Sequence, residues 1–243
     1  MSAGVSSFVA GYLAGDVDEW IYIDIEDQHR DSIRFINDCQ KVIGKEITII
    51  KNQMYKNVEE CVRAFGGFKN SRNGFSPCTN WLKRRVRKEW EYEHRFEMLT
   101  YVWGFDANEK KRADRLEESM PQFEHEFPLI DKELSKEDVH EIIRRLGIKR
   151  PLMYDLGYSN NNCIGCVKGG MGYWNKIRKD FPDVFERRAK LEREVGKTML
   201  KDKNGYIYLD ELDPNRGNMN MEIMPECGIA CYLASLEMKG DDE

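Results

Sequence analysis

Alternation constrains this chain more than any other feature. Over its first fifty residues, apolar stretches of helical and of strand character take turns. Phe8 to Leu13 reads as an apolar helical stretch, entered from the small residues Ser2-Ala3-Gly4-Val5-Ser6-Ser7. Glu19 to Ile25 reads as a buried strand, with Trp20-Ile21-Tyr22-Ile23 running into Asp24. Asp31 to Val42 has the spacing of an amphipathic helix, and Ile47 to Lys51 that of a second short strand. This alternation predicts an α/β fold, doubly wound around a mostly parallel sheet. In such sheets ligands bind outside the carboxyl ends of the strands, where Asp24, Glu26, Asp27 and His29 fall. His29 reads first as a surface loop histidine.

The chain has 243 residues, enough for one large α/β domain or a domain with an appendage. Its 41% hydrophobic content supplies a core, and a net charge of −5 excludes an overall basic protein while leaving room for a local nucleic-acid face. No apolar run is long enough to span a bilayer and no secretory signal opens the chain, so no membrane partner is expected. Seven cysteines without such a signal point to a reducing, cytoplasmic setting, where thiols act as ligands or nucleophiles.

The stretch from Lys149 to Gly170 holds Cys163 and Cys166, two residues apart among Ser159, Asn160, Asn161, Asn162, Gly165, Gly169 and Gly170. This spacing lets both sulfurs face one ion or cluster, and the glycines let backbone amides turn toward the sulfurs. Two ordinary cysteines in a turn is the plainer alternative. Cys78 stands near a helix start at Pro77-Cys78-Thr79, where the helix dipole favours thiolate. Lys83, Arg84, Arg85, Arg87 and Lys88 follow, mostly a solvated face with one or two residues near Cys78 free to meet an anion. Cys39 and Cys61 fall on apolar helical patterns and read as core. At the N-terminus, small residues leading into a helix expose amides to an anion, with Ser2, Ser6 and Ser7 adding hydroxyls; a plain serine cap is the alternative.

Further elements follow in order. Gln53 to Phe65 reads as a helix, and 66–76 as a polar loop in which Lys69, Arg72 and Gly74 suit a phosphate or sulfate. Met98 to Trp103 reads as a strand ending in Gly104-Phe105-Asp106, with Glu109 and Arg112 on one helical face. Phe127 to Ile130 is a short apolar segment, and Ser135 to Leu146 a helix with Ser135 as N-cap, Asp138 three residues on and Gly147 as its stop. Tyr173 to Leu191 is mostly helical, and Tyr206 to Leu209 a short strand in a turn-rich stretch. Pro225 to Cys231 and a disordered acidic tail close the chain. The expected organisation is a nucleotide-binding α/β domain over 1–150 and a cysteine-rich region over 151–243 packed on it.

Taken in order, these segments resemble the phosphoadenylyl-sulfate (PAPS) reductase family of the adenine nucleotide alpha hydrolase-like (HUP, PP-loop) superfamily, in particular its short phage-type members. Ser2-Ala3-Gly4-Val5-Ser6-Ser7 resembles the PP-loop Ser-Gly-Gly-x-Asp-Ser, and Tyr22-Ile23-Asp24 the second strand and its Asp-Thr-Gly. Pro77-Cys78-Thr79 with Leu82-Lys83 resembles the family's cysteine and basic pair. Gly104-Phe105-Asp106, Glu109 and Arg112 resemble its Gly-x-Arg-x-x-Glu…Arg substrate segment. Pro151-Leu152-Met153-Tyr154, Gly157-Tyr158 and Cys163-Ile164-Gly165-Cys166 resemble the Pro-Leu-Tyr…Gly-Tyr…Gly-Cys-x-x-Cys of the iron–sulfur branch, and Glu226-Cys227-Gly228-Ile229 its C-terminal Glu-Cys-Gly-Leu/Ile-His. Against that pattern, Ala3 replaces a glycine, Ser6 an aspartate and Asp106 an arginine; Cys78 stands alone where two cysteines adjoin, and Ala230-Cys231 occupies the region of the histidine. Only Met1 precedes Ser2, so the family's first strand is missing here or lies upstream.

The resemblance implies an adenine nucleotide (PAPS, APS or ATP) held by Ser2, Gly4, Ser6, Ser7, Asp24, Lys83, Asp106, Glu109 and Arg112. It implies Cys227 as the nucleophile on sulfur. Cys78, Cys163, Cys166 and Cys231 would carry a 4Fe-4S cluster; alternatively Cys163, Cys166, Cys227 and Cys231 form one zinc or iron–sulfur site. Three functions follow: a PAPS reductase-like oxidoreductase served by a thiol reductant such as thioredoxin or glutaredoxin, an ATP-dependent adenylating sulfur-transfer enzyme releasing AMP and pyrophosphate, or a degenerate nucleotide- or nucleic-acid-binding module. A homo-oligomer stays open.

Overall fold

The computed structural model describes residues 1–69 and 76–218. Its elements in chain order are α1 (Val5–Ala14), β1 (Trp20–Ile23), α2 (Asp31–Ile43), β2 (Ile47–Ile50), α3 (Val58–Phe65), α4 (Pro77–Thr79) running into a π-helix (Asn80–Arg85) and α5 (Val86–Glu93), then β3 (Thr100–Val102), α6 (Lys110–Ser119) and β4 (Glu124–Glu126). After these come α7 (Pro128–Asp131), α8 (Lys136–Arg145), α9 (Leu152–Asp155), α10 (Met171–Asp180), α11 (Pro182–Val195), β5 (Leu200–Asp202) and β6 (Gly205–Ile207). The chain is mixed α/β and divides into two units. No helix among the described residues is long and apolar enough to cross a membrane.

The first unit comprises Met1–Asp24, His29–Ile50 and Arg87–Asn161. Its strands form two parallel pairs. In one, Trp20 to Ile23 lie opposite Ile47 to Ile50; in the other, Thr100 to Val102 lie opposite Glu124 to Glu126. The alternation read from the first fifty residues is therefore present as helix, strand, helix, parallel strand. α1 is apolar around much of its surface and packs against α7 and α8, burying Val5, Phe8, Val9 and Ala10 with Phe35, Ile36 and Cys39 of α2. Gly11 admits the Trp20 ring: a methyl there would sit 2.4 Å from the indole. Ser135 caps α8 by accepting the Asp138 amide while Asp138 reaches back to the Ser135 amide, the expected reciprocal box.

The second unit comprises Ile25–Gln28, Lys51–Val86 and the chain from Asn162 onward. α10 packs on α11, α11 on α3, and β5 and β6 form an antiparallel hairpin. Its core gathers Ile25, Val58, Cys61, Val62, Phe68, Cys78, Leu82, Cys163, Val167 and Leu191.

Several boundaries differ from the sequence expectation for identifiable reasons. α3 starts at Val58 rather than Gln53, because Asn52 Oδ1 folds back on the amides of Met54 and Tyr55 and Asn57 caps the Glu60 amide. The helical stretch expected from Tyr173 to Leu191 is split at Phe181, since Pro182 has no amide to donate to the preceding turn. β4, Glu-His-Glu, carries no apolar alternation to announce a strand, and the Phe127 to Ile130 segment becomes the short helix α7 behind Pro128.

Candidate functional site

Two chain segments carry the chemistry, one in each unit. In the first unit the turn into α1 is built around Ala3, whose φ of 55° lies in the left-handed region that glycine enters freely and alanine does not. Ala3 is wholly buried. Gly4 is the N-cap, so the plain serine cap is not what forms. The Ser7 hydroxyl donates to Gly4 O (3.0 Å) and accepts from the Ser2 amide (3.1 Å), with Ser2 Oγ also 3.1 Å away. Two of the three hydroxyls expected to face an anion are thus engaged inside the turn. The first turn of α1 carries no acidic side chain, and the amides of Ser6 and Ser7 lie outside the helix's own ladder, as first-turn amides must.

Three distant segments converge on this turn. Gly104, past the end of β3, lies so close that a Cβ would fall 2.6 Å from the Ser7 amide nitrogen and 2.7 Å from the Ser6 carbonyl carbon. Tyr154 accepts the Val5 amide at its hydroxyl (3.4 Å). It is brought there by α2: Arg34 donates to the carbonyls of Lys149 and Arg150, and Asp31 accepts the Leu152 amide. The Arg34 guanidinium in turn holds the Asp31 carboxyl below the usual carboxylate range. Asn161 is 6% exposed; its Nδ2 donates to Ala3 O (2.8 Å) and Ser32 Oγ (2.9 Å), while its Oδ1 finds no partner among the described residues.

The other expected substrate residues are spread more widely. Asp24 continues β1, its amide bonded to Ile50 O (2.9 Å). Asp106 and Glu109 form a reciprocal cap on a one-turn helix, and Arg112 pairs with Glu109 while lying 4.8 Å from the centre of the Phe105 ring. These carboxylates are therefore structural caps and pairs in this conformation. Lys83 lies half-buried in the π-helix and belongs to the second unit. Lys69 is exposed at the last residue described before 70–75, and Arg72 and Gly74 lie outside the described residues.

In the second unit Cys78 and Cys163 enter one buried cluster, and Cys166 is 3% exposed. The Cys163–Cys166 turn is tied at several backbone groups. Ile164 N donates to Asp27 O (2.7 Å) and Cys166 N to the Tyr173 hydroxyl (3.0 Å), which itself donates to Cys163 O (3.4 Å). Arg188 Nε donates to Gly165 O (3.4 Å). The Ile164 and Cys166 amides are directed at oxygen. Gly165 has φ 69°, and a Cβ there would meet Val184 at 2.7 Å. Arg188, fully buried, pairs with Asp27 and with Glu59 (2.7 Å).

Cys39 and Cys61 are core, as their periodicity implied. Burial pushes both thiols up, Cys61 to about 12, aided by Asp27 and Glu60. Cys227 and Cys231 lie outside the described residues. Among the described residues no group of three or more His, Cys, Asp or Glu side chains is arranged to hold a metal ion. The described thiols therefore do not by themselves complete a cluster or zinc site.

Sequence reading placed Tyr154 and Asn161 in notable segments without giving either a role, and singled out neither Tyr173 nor Arg188 for one. Arg188 had a signal: it stands four residues after Val184 and three before Leu191, on the apolar face of α11. No protein-family model matches this chain, and no curated protein or solved structure matches it.

Proposed function

We propose that the chain is a PAPS reductase-like enzyme whose first unit is a doubly wound, PP-loop type nucleotide-binding fold. The observation that carries the reading is the seating of Gly104 against Ser6 and Ser7. Two segments a hundred residues apart in sequence, both named by resemblance as nucleotide and substrate segments, meet backbone to backbone. The parallel pairing of β1 with β2 and of β3 with β4 supports the same reading. So does Ala3, which adopts the left-handed backbone at the position where the resembled loop has glycine.

In this proposal the first-turn amides of α1 and the Ser6 hydroxyl bind the nucleotide's phosphate, the positive end of the helix offsetting its charge. A thiolate, Cys227 by resemblance, attacks the sulfate sulfur. The new S–S bond forms as the sulfur–oxygen bond to phosphate breaks, and the nucleotide leaves with the electron pair. A second thiol then attacks the S-sulfocysteine, forming a disulfide and releasing sulfite. Cys163 and Cys166 would supply two soft ligands, completed by Cys78 and Cys231 in an iron–sulfur site; the alternative zinc or iron–sulfur site with Cys227 and Cys231 would take Cys227 as a ligand and remove it as nucleophile. No step is routed through that centre.

The test is a product assay on the full chain with dithiothreitol or thioredoxin as reductant. Sulfite with adenosine 3′,5′-bisphosphate or AMP is the expected product from PAPS or APS, and Cys227→Ser abolishes it. AMP with pyrophosphate from ATP assigns the chain to adenylating sulfur transfer instead. Nucleotide binding with no product from any of the three reduces it to a binding module.

A further inference from the structure

The Cys163–Cys166 turn is held more firmly than its length requires. A four-residue turn of this kind needs one glycine in the left-handed region, which Gly165 supplies. Here side chains from two other elements also take its backbone groups. The Tyr173 hydroxyl sits between Cys166 N and Cys163 O, closing the two ends of the turn on one atom. Gly169 makes way for that ring, since a Cβ at Gly169 would fall 1.9 Å from Tyr173 Cδ1. The Arg188 guanidinium grips the turn at Gly165 O and grips Asp27, whose backbone carbonyl receives Ile164 N.

A buried arginine with two carboxylates is a costly way to hold a loop if nothing depends on the loop's shape. We infer that Tyr173 and Arg188 are positioning residues that preset the geometry of Cys163 and Cys166, so that the pair meets a soft metal ion without local refolding. This deepens the proposed function, and rests on it for what the thiols are held for. Tyr173 acts through its oxygen: the ring fills space beside Gly169, but only the hydroxyl spans the turn. Arg188 acts through its fork: its three nitrogens each meet a different acceptor, Gly165 O, Glu59 and Asp27, a spread that the one nitrogen of an ammonium does not reproduce.

The experiment uses the full chain in three forms: the natural protein, Tyr173→Phe and Arg188→Lys. Each is alkylated with iodoacetamide under native conditions, and labelling is followed at individual cysteines by peptide mass mapping. Cys39 and Cys61, both wholly buried, are internal controls. Tyr173→Phe is expected to speed labelling of Cys163 and Cys166 on the order of tenfold, with Cys39 and Cys61 unchanged, as one lost hydrogen bond to a buried amide would. Arg188→Lys shifts the same two sites and answers the question if Tyr173→Phe does not fold. Unchanged rates at Cys163 and Cys166, or a uniform rise at all four cysteines, overturns the positioning role. Zinc release to a chelator from the zinc-loaded chain is the second readout, with Tyr173→Phe expected to release about ten- to a hundredfold faster. If the natural chain retains no zinc or iron while the labelling difference persists, the metal reading fails and the positioning role stands.

Discussion

The turn before α1 and the turn at Cys163–Cys166 are of similar size, and both contain a residue in the left-handed region, yet they are held in opposite ways. The N-terminal turn is tied mainly by its own short groups, Ser2 to Ser7 and Ser7 to Gly4, with neutral Asn161 and Tyr154 bracing it. The cysteine turn is held from outside by a buried ion-pair network and a bridging tyrosine. Ser2 stays exposed, whereas both thiols are buried. Short neutral groups suffice to hold a turn at the surface, whereas the turn that carries buried sulfur is fixed by charge.

The largest predicted effect tests the charged brace. Arg188→Met removes the cation and leaves Asp27 and Glu59 buried or half-buried beside each other without it. The expected loss is about 3–5 kcal/mol in urea unfolding, the range for breaking one side of a buried pair. Arg144→Ala, which breaks an exposed pair with Glu141, is the matched control and should leave the midpoint unchanged. If the two variants behave alike, Arg188 does not hold the second unit together and the contrast between the turns is lost.

The neutral brace should yield less. Asn161→Asp keeps the shape of the side chain but replaces the amide that donates to Ala3 O and Ser32 Oγ by a carboxylate, which the Ser32 hydroxyl can turn to meet and the Ala3 carbonyl cannot. About 2–3 kcal/mol of destabilisation is expected from the unsatisfied groups, together with weaker retention of inorganic phosphate or ATP measured by calorimetry. A stability loss with phosphate affinity untouched would separate the turn's fold from ligand binding.

Much of the first unit was legible because period and burial agree there. Phe35, Ile36 and Cys39 fall on one face of α2, and Trp20 and Tyr22 alternate inward along β1. The Ser135–Asp138 cap was legible because its bonds span three residues. What local pattern could not give was partners distant in sequence. Nothing near Ser6 announces Gly104, and nothing near Cys166 announces that Asp27 takes the intervening amide. The π-helix through Asn80–Arg85 was illegible for another reason: its side-chain spacing differs too little from an α-helix over six residues to leave a pattern. Of the basic residues on it, Arg84 and Arg85 were read by charge alone and Lys83 also by resemblance.

α11 sharpens the comparison from within one helix. Four residues beyond Arg188 lies Glu192, equally buried. The fold gives Arg188 two carboxylates, but gives Glu192 two amides, Met199 N (2.7 Å) and Leu209 N (2.6 Å). Burial is the main reason its carboxyl is pushed up to about 7; the Met199 and Leu209 amides oppose the rise, Asp210 adds to it and Arg193 opposes it. The folded chain therefore holds this proton more tightly than the unfolded chain does. The stability that results is full below pH 4.5 and lost as pH climbs through about 7. On the order of 3 kcal/mol is expected across that window, read from urea midpoints at successive pH values. Glu192→Gln should flatten the profile, and an equally steep profile in that variant would assign the pH dependence elsewhere.

The smallest effect is the most diagnostic for the N-terminal turn. Ala3→Gly removes left-handed strain of about 1–2 kcal/mol. It also deletes a fully buried methyl, about 0.8 kcal/mol, and adds backbone freedom to the unfolded chain, about 0.5–1 kcal/mol. These terms nearly cancel, so the unfolding free energy should move by less than about 1 kcal/mol in either direction. A gain of about 2 kcal/mol would mean that neither the methyl nor the added backbone freedom offsets the strain. The N-terminal turn would then, like the cysteine turn, hold a shape that costs stability, and the two would differ only in which groups hold it.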